Sequence, residues 1–103
     1  MDDANQIEVP PSFVALFTTG AGTRLTHPMG AVRERYELCE DLAQALTEQA
    51  SAALSASGGD EQAVLEKIQR ALQAEGSAVS PVEASWVGRR LAELLGWEAP
   101  GRD

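Results

Sequence analysis

Val32, Tyr36, Cys39, Ala43, Leu46, Ala50 and Ala53 follow one another at alternating steps of four and three. That period puts them on one face of a single helix. Leu38 and Leu42 widen the stripe on one side. The pattern predicts a helix from near Pro28 to about Ala56 that buries one broad face. Its alanines let another helix approach closely. Both phenylalanines precede this segment and both tryptophans follow it, so its own share of the core is mainly aliphatic.

The flanking segments read as shorter helices. Pro10 and Pro11 suit a helix start, and Phe13, Leu16 and Phe17 share a face of a short helix that Gly20 and Gly22 are expected to end. After the long helix, "SASGGD" breaks the pattern. Gly58 or Gly59 takes a left-handed C-terminal position, and Asp60 caps a helix over about 61–75 presenting Val64, Leu65, Ile68 and Leu72, with Gly76 as its stop. In "SPVE", Ser80 is the N-cap, Pro81 the first helical residue and Glu83 the partner that closes a capping box. Val82, Trp86, Val87, Leu91, Leu94 and Leu95 form the apolar set of this last helix. Gly96 caps it, and Trp97 folds back on Leu91 or Ala92. No segment alternates as a strand would. The expectation is an all-α fold, a small bundle of three main helices plus one short N-terminal helix. Residues 1–9 are expected as a flexible arm, 10–97 as a single helical domain and 98–103 as a flexible tail.

Charge narrows the function classes. The chain of 103 residues carries a net charge of -8, which repels phosphate backbones and anionic headgroups and favours a basic partner. The single cysteine, Cys39, allows no internal disulfide. The acidic start "MDDANQIEVPPS" lacks the basic and apolar regions of a signal peptide, and no apolar run is long enough to span a bilayer. These features point to the cytoplasm.

Few constellations hold up as chemistry. "FTTGAGTR" sets Gly20 and Gly22 two apart with no lysine after them, unlike a phosphate loop between strand and helix. It reads as a connector. An anion contact through Arg24 and the backbone of the Gly20–Arg24 loop, with His27 and the carboxylates of the long helix, is the alternative small-ligand or enzyme reading. His27 is the sole histidine, and it reads as a solvated or capping residue. Cys39 sits in the buried stripe beside Glu37, Glu40 and Asp41, an environment that disfavours a thiolate. The sequence assigns no catalytic residue, metal or cofactor. Glu34, Glu37, Glu40 and Asp41 form an acidic run over two turns, with Arg33 placed to offset Glu37. Arg89 and Arg90 are placed to pair with Glu93 or with that run, and Arg with Trp97 matches the residue types enriched at binding hot spots.

"IEVPPSFVALF", "RYELCEDLAQALTE" and "WVGRRLAELLGW", together spanning Ile7 to Trp97, resemble a family of small proteobacterial proteins of about this length. Some of its members carry the label of an ATPase with chaperone activity. The resemblance supplies no catalytic residues. The label asks for a phosphate loop, an acidic residue ending a hydrophobic strand and a sheet to hold both, and the sequence contains no segment that reads as any of them. The expectation is therefore a non-catalytic interaction or accessory module, compatible with a role beside a separate chaperone. Its partner is another protein with a basic surface, not nucleic acid or membrane. A homodimer is a variant of the same idea.

Overall fold

A computed structural model describes residues 8–19 and 24–97. The described residues are all-α: a short helix α1 (Pro11–Val14), then α2 (Met29–Ala56), α3 (Glu61–Leu72) and α4 (Pro81–Leu95). Among them, none of the helices is long and apolar enough to cross a membrane. The expected flexible arm lies almost wholly outside the described residues, and so do the tail at 98–103 and Gly20 and Gly22. The chain divides into two compact units, Met1–Leu38 and Cys39–Asp103, and α2 runs through the boundary.

The first unit is organised around Phe13, which is fully buried. Pro10 is extended at the N-cap, and Pro11 supplies the preset φ of the first helical residue. The ring of Phe13 meets those of Phe17 at 5.5 Å and Tyr36 at 5.6 Å, within the range where aromatic pairs attract beyond their buried area. The short helix stops before the glycines expected to end it. It tightens into a 3-10 turn over Ala15–Phe17, and Thr18 is already extended. Thr18 then pairs with Leu25 in an isolated antiparallel bridge. The Thr19 N–H donates to the Arg24 carbonyl at 2.9 Å, and the Thr26 N–H donates to the Phe17 carbonyl at 2.7 Å. Backbone pairing ends the helix here and closes the connector on itself.

In the second unit the stripe of α2 behaves as its period predicts, with Cys39, Ala43 and Ala50 fully buried. Ala50 joins Val64 and Leu65 of α3 and Leu91 and Ala92 of α4 in one core, flanked by Leu46, Ala53, Leu54, Ile68, Leu95 and Trp97. Leu65 and Leu91 have no exposed surface, and each such burial stabilises by about 1.5–3 kcal/mol. Both Gly58 and Gly59 have positive φ, and Asp60 caps α3 by accepting from the Ala63 N–H at 3.1 Å. Helix α3 ends at Leu72, three residues earlier than its composition suggests, and a turn leads to Gly76 at φ 87°.

Helix α4 carries the expected caps. The Ser80 hydroxyl accepts from the Glu83 N–H, and the Glu83 carboxylate accepts from the Ser80 N–H. At the other end Gly96 is left-handed at φ 74°, and the Trp97 N–H donates to the Ala92 carbonyl at 2.8 Å. This closure satisfies the carbonyls of Ala92 and Glu93 in the last turn. One expectation fails: Val82 is 54% exposed, whereas Glu83 is buried. The buried residues of α4 are Glu83, Ala84, Trp86, Val87, Gly88, Leu91 and Ala92, and Val82 lies opposite the centre of this set, near Leu91, at 100° per residue.

Candidate functional site

The acidic run on α2 separates into two groups with different roles. Glu34, Glu37 and Asp41 are exposed, and so is Glu48. Steps of three, four and seven residues keep all four within an arc of about 60° on the helix. Like charges at this spacing cost a few tenths of a kcal/mol in helix stability, so the row is a small liability to the helix itself. Arg33, expected to offset Glu37, forms no ion pair with it among the described residues. Its Nε is buried with no partner among the described residues.

Glu40 lies about 100° around the helix from Asp41 and belongs to the interior side. Arg90 of α4 grips it with two parallel bonds, Nε to Oε1 at 2.9 Å and Nη2 to Oε2 at 3.0 Å. The third arm of the guanidinium, Nη1, donates to Glu93 at 2.8 Å. The fork geometry of arginine matches a carboxylate in this way, and such pairs are stronger than neutral hydrogen bonds. The side chain of Glu40 is only 18% exposed. The hydrogen bonds from Arg90 hold its carboxyl below the usual value, partial burial pushes the other way, and a bond from Gln44 at 2.9 Å adds to the lowering. The two carboxylates raise the pKa of Arg90 above its already high ordinary value, so the guanidinium stays charged. Glu40 and Arg90 are a clasp between α2 and α4 within the second unit.

Arg89, next to Arg90, is exposed. Trp97 is half-buried against the core of the second unit. His27 is exposed. Its Nδ1 lies 2.8 Å from the Thr26 hydroxyl, and its ring stands edge-on to Phe17 at 5.5 Å. Arg24 is exposed, and the rest of the Gly20–Arg24 loop lies outside the described residues. Among the described residues, no group of three or more His, Cys, Asp or Glu side chains is placed to hold a metal ion.

What the geometry brings together is thus a row of exposed carboxylates on α2 and, separately, an arginine clasp. Reading the sequence alone missed Glu48. Its signal is the repeat of acid at Glu34, Asp41 and Glu48, seven residues apart. No family model, curated protein or solved structure matches the chain.

Proposed function

We propose that this chain is a non-catalytic binding module that docks a basic surface of a protein partner along the exposed carboxylates of α2. The observation that carries the proposal is the row Glu34, Glu37, Asp41 and Glu48, held on one helical face and open to solvent. The row weakens the helix slightly and, among the described residues, serves no internal pairing of the kind Arg90 gives Glu40. Opposite charge on a partner turns that self-repulsion into attraction and speeds encounter. The net charge of -8 supports the same choice of partner. The resemblance to the small proteobacterial family adds a context for the partner: an accessory role beside a separate chaperone or ATPase.

A tagged chain is used to capture partners from native lysate at low and at moderate salt, with quantitative mass spectrometry as the readout. The expected result is one stoichiometric partner with a basic surface, retained at low salt and depleted at moderate salt, because exposed charge contacts are screened. A partner held equally at both salt concentrations, or no stoichiometric partner at either, contradicts the proposal.

A further inference from the structure

The second unit contains a feature that the carboxylate row does not use. Between the C-terminal part of α2 and α3 runs an open groove of about 430 Å³, within the usual size range of small-molecule pockets. One wall extends from Gln49 of α2 to Ser57 just past its end, the other from Ala63 to Ala71 of α3, each about 12 Å long at 1.5 Å per residue. The surface between them is apolar and built from Ala53, Val64, Ile68 and Ala71. Alanines on both walls leave the groove unfilled.

One cation stands on this apolar surface. Lys67 is the only lysine in a chain with 16 carboxylate side chains, and it lines the groove. Its helical neighbours at three and four residues are Ala63, Val64, Arg70 and Ala71, so no acid sits where an intrahelical partner would. Among the described residues no ion pair involves Lys67. An apolar groove about 12 Å long with one unpaired ammonium on its wall is complementary to a chain-like molecule with one negative end.

We propose that this groove binds a medium-chain aliphatic carboxylate, with its hydrocarbon chain along Ala53, Val64, Ile68 and Ala71 and its carboxylate at Lys67. A second copy of the chain fits less well, because a stable dimer buries about 800 Å² per partner and a groove this short supplies only a fraction of that. A basic segment is disfavoured by Lys67 itself.

The test is titration of the full-length, isotope-labelled chain with sodium decanoate below its micelle concentration, followed by amide NMR shifts. Decanol and decyltrimethylammonium serve as uncharged and reversed-charge probes. Saturable shifts confined to the groove are expected with decanoate, and binding about tenfold or more weaker with either other probe. Lys67→Glu should weaken decanoate by a similar factor, with an unchanged helical circular dichroism spectrum because the side chain is exposed. Ala71→Phe, on an exposed position, should block the groove and abolish binding. The proposal is overturned by the absence of saturation or by shifts spread outside the groove. It is also overturned by decanol binding as well as decanoate with Lys67→Glu having no effect. Concentration-dependent groove shifts in the absence of any probe, with a dimer in sedimentation, would assign the groove to a second copy instead.

Discussion

Replacing Arg90 with alanine removes three charge-assisted hydrogen bonds at once, two to Glu40 and one to Glu93. Their weights differ. Glu93 is 71% exposed, and an exposed partner of this kind contributes a few tenths of a kcal/mol at most. Glu40 is 18% exposed and Arg90 31%, so this pair is shielded from solvent without being fully desolvated. A hydrogen bond to a charged group contributes about 1.5–3 kcal/mol, and breaking a fully buried pair costs about 3–5 kcal/mol. The intermediate exposure argues for a loss of about 2 kcal/mol in Arg90→Ala, or roughly 8–15 °C in Tm for a chain of this size. Urea denaturation with a double-mutant cycle on Arg90→Ala and Glu40→Gln isolates the pair. A coupling energy of about 1–2 kcal/mol is expected at pH 7. The folded-state pKa of Glu40 is lowered from 4.5, so the stability it contributes is present above that value and lost as pH falls through the lower folded-state one. The coupling should therefore fade in acid. A coupling within error of zero at pH 7, or one that persists unchanged at low pH, refutes the clasp.

Other substitutions test the framework. Leu91→Ala deletes a side chain with no exposed surface and should cost about 2–5 kcal/mol in chemical denaturation. Ser80→Ala removes the acceptor for the Glu83 N–H and should cost about 1 kcal/mol, with little change in the denaturant slope. Gly96→Ala meets no crowding, since nothing lies near the added carbon, but it forces a φ of 74° on an L-residue. A loss of about 1–2 kcal/mol is expected. Combined Glu34→Lys, Asp41→Lys and Glu48→Lys, all exposed, should leave thermal unfolding within a few degrees of wild type.

Local chemistry carried most of the fold into the sequence. The Ser80–Glu83 box, Asp60 and Gly96 each act within a few residues, so their spacing alone defines them. The stripe of α2 was legible for a similar reason: a long helix repeats its signal many times. Shorter segments gave weaker evidence. Val82 falls in the apolar set of the last helix, but it is 54% exposed. The buried face includes Trp86, Val87 and Leu91 as expected, and beside them Ala84, Gly88 and Ala92, whose burial hydropathy hardly signals. The end of the short helix depended on the pairing of Thr18 with Leu25, a backbone bridge between two segments that no residue type marks in advance. Within the acidic run, composition made Glu40 equivalent to Glu37 and Asp41. Only the placement of Arg90, fifty residues away, separates the clasp from the exposed row.

The docking face on α2 is the central claim, and a charge-matched comparison tests it most directly. One chain carries Glu34→Lys, Asp41→Lys and Glu48→Lys. A second carries Glu8→Lys, Glu66→Lys and Glu75→Lys, also exposed positions and the same change in net charge. The partner captured by the wild-type chain is titrated against both at one fixed salt concentration. Binding lost by a factor of about a hundred or more in the first chain, and nearly intact in the second, is the predicted result. Equal loss in both chains would reduce the effect to net charge, and full retention in the first would place the partner elsewhere on the molecule.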